Sequence, residues 1–109
     1  MKNKVKLKKV SDVVAEVLIE ENVSHVFAIS GGASLHLIHS LADNENIQYI
    51  CNHNEQAAAM AADGYSRLSG KTGVAVTTSG PGATNLITGI CCVTMTQFLL
   101  YLLQVKLAQ

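Results

Sequence analysis

The sequence has no excess of either charge: eight Lys and Arg balance eight Asp and Glu for a net charge of +0. That removes the broad basic footprint a nucleic-acid binder needs. It has no long apolar run, since none exceeds the six residues of 98–103, far short of the ~20 residues of a membrane span. The lysines at the start (Lys2, Lys4, Lys6, Lys8 and Lys9) lack the apolar stretch that would make a signal peptide, because Ser11, Asp12, Glu16, Glu20 and Glu21 interrupt the adjoining segment. The three cysteines, Cys51, Cys91 and Cys92, are odd in number and contain no C-x-x-C. Neither a disulfide frame nor a zinc site is indicated, and buried, small apolar roles are expected of them. These absences point to a cytoplasmic protein with no nucleic-acid or membrane partner, and 109 residues fit one compact domain.

What is present is apolar material, 49% of the chain against 15% charged residues. The charges are segregated. Residues 10–63 hold every acid and no Lys or Arg, and nothing between Lys71 and Lys106 is charged. So long an uncharged stretch exceeds what a small core demands and is expected to meet another domain or subunit. Val10, Val13, Val14, Val17 and Leu18 recur at helical spacing behind Ser11, a good N-cap, and Asp12, with Asn22 able to close the helix in the left-handed region. Residues 25–30 read as a strand ending at Gly31 and Gly32, followed by a helical face at Leu35, Ile38, Leu41 and Ala42. Residues 47–51 read as a second strand, 55–68 as an Ala-rich helix stopped by Gly70, 73–78 as a third strand and 83–90 as a further helix behind Pro81. Strands alternating with helices, without hairpin turns, predict an α/β fold: a three-layer parallel sheet flanked by helices. Ligands in such sheets bind at the carboxyl ends of strands, here near residues 30–32, 51–55 and 78–82.

Glu55 stands at one of those ends and supports two readings. It follows Asn52 by three residues, the spacing of a capping box. It also precedes Ala57, Ala58, Ala59, Met60 and Ala61, and a carboxylate walled by methyl groups can share a proton with a ligand nitrogen. Gly80, Pro81 and Gly82 could let backbone approach a ligand or simply form a tight turn. No Gly-Lys-Ser/Thr follows them, Asn85 replaces the third Gly of a dinucleotide fingerprint, and residues 32–36 miss the hydrolase nucleophile elbow. His36 and His39, one turn apart, lack a third metal ligand.

The segments HVFAISGGASLHLIHSLAD (25–43), CNHNEQAAAMAADGYSRLSGKTGVAVTTSGPGATNLITGI (51–90) and SDVVAEVLIEENV (11–23) together resemble the N-terminal pyrimidine-binding domain of thiamine-diphosphate enzymes, most closely the acetolactate synthase group. The resemblance implies that Glu55 hydrogen-bonds the cofactor's aminopyrimidine ring. A carboxylic acid sharing its proton with the ring nitrogen favours the imino tautomer, whose exocyclic nitrogen can remove the thiazolium proton. It further implies that Thr78, Pro81 and Asn85 border the pyrimidine, that Gly31 and Gly32 line the substrate side, and that a 2-oxo acid such as pyruvate is decarboxylated and its two-carbon unit transferred. Asn54 departs from the His that many relatives place before the glutamate. The family's Gly-Asp-Gly motif, which holds Mg2+ and the diphosphate, is absent. That group is expected on a domain of a second subunit or chain of a homo-oligomer, with FAD accompanying it in some relatives. The alternative is a non-catalytic or pseudogene fragment that only binds a partner subunit. Alone, this chain is expected to be inactive.

The resemblance divides the chain into a basic arm (1–9), a partial pyrimidine-binding domain (10–92) and a non-homologous tail (93–109). The tail is expected to arise from a reading-frame shift. One permitted choice of codons for residues 92–109, read from the third base of the first codon, gives CYYDSIPFIFITGQVSS, close to the continuation YYDSIPVLFITGQVS of relatives. Residues 98–103 are then expected to imitate a core strand with poor packing.

Overall fold

A computed structural model describes residues 7–96 and 100–105, with side-chain surroundings for residues 7–92. The lysines at 2, 4 and 6 and tail residues 97–99 and 106–109 lie outside the described residues. In chain order the elements are α1 (Val10–Glu20), β1 (His25–Ala28), a 3-10 turn (Gly32–Ser34), α2 (Leu35–Ala42), β2 (Gln48–Cys51), α3 (Glu55–Ser69), β3 (Gly73–Thr78), α4 (Pro81–Asn85), α5 (Ile87–Thr96) and β4 (Leu100–Val105). All pairings are parallel, in the order β2-β1-β3-β4. The expected α/β sheet is present. β4 joins it through residues of the tail, its backbone running beside β3 from Gly73↔Leu100 to Thr78↔Val105.

Each face of the sheet carries its own core. On one side Val26, Ala28, Val74 and Val76 meet Ala15 and Leu18 of α1 and Leu37 and Leu41 of α2. On the other, Phe27 and Ala75 meet Ala58, Ala59 and Ala62 of α3, with Leu86. Alternation along β1 and β3 thus sends successive side chains into different layers. Leu41 is fully buried, and truncating such a leucine to Ala costs about 2–5 kcal/mol. The small residues of α3 let it lie close to the sheet. A Cβ on Gly73 would collide with the backbone of Ala62, and one on Gly89 with the side chain of Ala59.

Several local expectations change. Lys9, not Ser11, is the residue before α1, and it makes no side-chain cap. Ser11 lies inside the helix, where its hydroxyl is 2.8 Å from Ser40 Oγ of α2, which also reaches Asp12 Oδ1 at 2.7 Å. An interhelical contact has replaced the cap. Asn22 does end α1 in the left-handed region at φ 60°; its N–H donates to Ile19 O, and that of Val23 to Leu18 O. Of the α1 valines, Val10, Val13 and Val17 are exposed, while Ala15 and Leu18 face the core. The helix expected over 83–90 is two: α4 ends at Asn85, and α5 starts at Ile87. Cys51 and Cys91 are exposed and Cys92 is half-buried. The buried role expected of them fails for Cys51 because β2 is the sheet's edge strand.

Candidate functional site

From β1 the chain crosses to β2 on one side and later returns as β3 on the other, so the carboxyl ends of β1 and β3 flank a topological switch point. Crevices for ligands open at such points. Gly31 lies just past β1 and touches Thr78, the last residue of β3; a Cβ on Gly31 would overlap the Thr78 side chain. The φ of Gly31 is −169°, extended backbone open to any residue, so the requirement for glycine is close approach alone. Gly32 is exposed with open space around its Cβ position.

Glu55 enters from the third layer as the first residue of α3. Its helix is capped by Asn54, not by Asn52: the Asn54 backbone is extended, and its Oδ1 accepts from Ala57 N at 2.7 Å. The capping-box reading of Glu55 is thereby replaced, and the carboxyl is free of backbone capping duty at that spacing. Glu55 is half-buried. The expected methyl wall does not form around it. Ala58 and Ala59 point into the core, while Ala57 and Met60 are exposed, because the 3.6-residue helical period turns only one face of the run inward.

Asn85, the last residue of α4, donates from Nδ2 to Glu55 Oε2 at 3.2 Å. Beside the other oxygen lies Gly82, where an added Cβ would stand 3.4 Å from Oε1 and 3.0 Å from Thr78 Cγ2. Gly82, read from the sequence with Gly80 and Pro81 as a place where backbone could approach a ligand, is the buried second residue of α4. One residue on from Glu55, Gln56 Nε2 donates to Thr88 Oγ1 at 2.9 Å, a second tie between α3 and the α4–α5 segment. Asn54, Glu55, Gln56 and Asn85 line an open depression of 260 Å³. Gly31, Thr78, Glu55 and Asn85 are thus linked through direct contacts and Gly82, whereas Pro81 is exposed at the first position of α4 and flanks the set. A larger groove of 460 Å³ is lined by Lys9, Val10, Ser11, Val14, Ala33, His36 and Leu37. It holds no carboxylate, whereas the smaller depression is lined by Glu55, a group able to exchange a proton with a ligand. His39 pairs with Asp43 at 3.1 Å, and among the described residues no group of three His, Cys, Asp or Glu could hold a metal. Nor, among them, is any helix long and apolar enough to cross a membrane.

The sequence model of the family described as thiamine pyrophosphate enzyme, N-terminal TPP binding domain, matches residues 8–102. The acetolactate synthase large subunit of Buchnera aphidicola is 49% identical over 80 residues, 73% of this chain and 14% of that protein. That of Lactococcus lactis is 47% identical over 90 residues, 80% of this chain and 16% of that protein. The chloroplastic acetolactate synthase of Arabidopsis thaliana is 42% identical over 83 residues, 76% of this chain and 12% of that protein. The chain therefore spans only 12% to 16% of the length of these relatives. With an α/β fold, a carboxylate at its switch point and a family match over most of its length, this chain belongs to the N-terminal TPP binding domains of the thiamine pyrophosphate enzymes and is acetolactate synthase-like.

Proposed function

We propose that Glu55 is the group through which this chain engages the aminopyrimidine ring of thiamine diphosphate. On this reading the chain is the pyrimidine-binding part of a cytoplasmic, homo-oligomeric enzyme that decarboxylates a 2-oxo acid such as pyruvate and transfers the two-carbon unit. The observation that carries the reading is the position of one carboxyl. Glu55 stands at the head of α3, its Oε2 held by Asn85 and its Oε1 beside the bare Cα of Gly82. The residues fit an aromatic, nitrogen-bearing ring: a proton-sharing carboxyl next to a position where any side chain would fill the space. When bound, the cofactor supplies the electron sink for decarboxylation. The chain's own residues have simpler tasks. Glu55 holds a proton toward a ring nitrogen, Thr78 and Pro81 border the ring together with Asn85, and Gly31 and Gly32 leave the substrate side open. Asn54 fixes the start of α3 and with it the origin of the Glu55 side chain. Mg2+ and the diphosphate are assigned, on the family resemblance, to a diphosphate-binding domain of a second subunit or chain.

The test is an NMR titration of the whole chain with the hydroxymethyl aminopyrimidine fragment of thiamine. Saturable shifts at Glu55, Gly82 and Asn85, lost in Glu55→Gln, support the reading. Binding unaffected by Glu55→Gln would remove Glu55 from the site.

A further inference from the structure

The two oxygens of Glu55 are not equivalent. Oε2 accepts a hydrogen bond from Asn85 Nδ2 at 3.2 Å, while Oε1 faces Gly82, where an added methyl would come within 3.4 Å. An ionised carboxylate only accepts, so an amide meeting it presents its NH2 group. Once Oε2 accepts that N–H, protonating the same oxygen would set an O–H against a donor. A proton added to the carboxyl would therefore go to Oε1. The two residues are 30 positions apart, on different helices, and Asn85 is exposed, so the bond is not imposed by core packing. The neighbouring tie from Gln56 to Thr88 joins the same segments without touching the carboxyl.

We infer that Asn85 is a positioning residue that acts through Glu55, fixing its carboxyl and reserving Oε1 as the oxygen that carries the exchangeable proton toward the ring. This rests on the function proposed above for Glu55 and deepens it. Asn85 takes part through the glutamate and needs no contact with the ring of its own.

The experiment uses the whole chain and three variants. Asn85→Ala removes the donor, Asn85→Asp keeps the shape but replaces the donor with an acceptor, and Thr88→Ala breaks only the neighbouring tie. Three-bond couplings of the Glu55 side chain report whether it holds one rotamer, and titration with the hydroxymethyl aminopyrimidine fragment reports binding. A single Glu55 rotamer is expected in the unmodified chain and in Thr88→Ala, with averaging in both Asn85 variants. Fragment affinity should fall roughly tenfold in the Asn85 variants, the scale of one lost charge-assisted hydrogen bond, and stay within about twofold in Thr88→Ala. Either Asn85 variant, if folded, suffices. Unchanged couplings in a folded Asn85 variant, or equal averaging in Thr88→Ala, would overturn the inference. The two readings fail differently. If the fragment moves no resonance while the couplings respond to Asn85→Ala, the cofactor reading of Glu55 falls and the positioning stands. If the fragment binds through Glu55 but the couplings ignore Asn85, the positioning falls alone.

Discussion

Adjacent glycines at the switch point should respond oppositely to the same methyl group. Gly31 has extended backbone at φ −169°, so Gly31→Ala brings no conformational strain. It would instead drive its Cβ into Thr78, to 2.6 Å from Cγ2 and 2.8 Å from Oγ1. Thr78 is β-branched and ends a strand, so it cannot swing clear through a free rotamer. Overpacking of this kind costs about 1–3 kcal/mol, and the smaller entropy of the unfolded alanine chain offsets about 0.4–1 kcal/mol of it. The net is about 0–2.6 kcal/mol of destabilisation, centred on about 1.3 kcal/mol, which for a domain of this size lowers Tm by roughly 5–10 °C. Gly32 has nothing within 4 Å of its Cβ position, so Gly32→Ala should be neutral or stabilising by up to about 1 kcal/mol. Thermal unfolding followed by circular dichroism measures both, and pairing Gly31→Ala with Thr78→Gly should recover part of the loss. Equal melting of the two single variants would refute the packing argument.

Asn54→Ala should cost about 1 kcal/mol, the usual loss for an N-cap, and Asn52→Ala less; denaturant unfolding compares them. Burial, followed by a hydrogen bond to Cys51, pushes the Tyr49 hydroxyl up to about 12 from its ordinary value of 10. A raised folded value means this contribution to stability is complete below pH 10 and is lost as pH rises through about 12. Tyr49→Phe should abolish that alkaline loss, and an unchanged alkaline transition would remove Tyr49 as its source. The whole chain should bind thiamine diphosphate weakly in calorimetry with Mg2+ present, because the remote anchoring group is assigned elsewhere; micromolar affinity would contradict that assignment. For residues 93–109 we propose the reading-frame origin, and resequencing should reveal one base gained or lost near codon 92. The family match extends to residue 102, and a confirmed frame without homologous sequence downstream would defeat the proposal.

Periodicity carried the layers because burial follows it: the apolar faces of residues 25–28 and 73–78 became the central strands, and Gly70 ended α3 in the left-handed region at φ 69°. Caps were harder to read because several residues competed for them. Asn52 and Asn54 both precede the alanine run, and the fold chose the one adjacent to the first helical turn. Ser11 looked like a cap but was captured by Ser40 from 29 residues away. The same distance effect hid the Asn85–Glu55 bond and the cluster of Ser24, His25 and Tyr65, in which the Ser24 and Tyr65 hydroxyls lie 2.8 Å apart. Local sequence holds no trace of such partners, since they meet only once α3 has docked on the sheet.

The central claim concerns the proton held by Glu55, and isotope exchange at the thiazolium carbon tests it most directly. Residues 10–92 would replace the matching segment of the Lactococcus lactis large subunit, with exchange followed by quenched-flow NMR in that hybrid and in its Glu55→Gln form. The amide keeps the shape and a hydrogen bond but cannot share a carboxyl proton, so exchange should slow by about 10²-fold or more, the lower scale of acid–base assistance. Equal exchange rates in two folded, cofactor-loaded hybrids would contradict the account and return Glu55 to a structural role at the head of its helix.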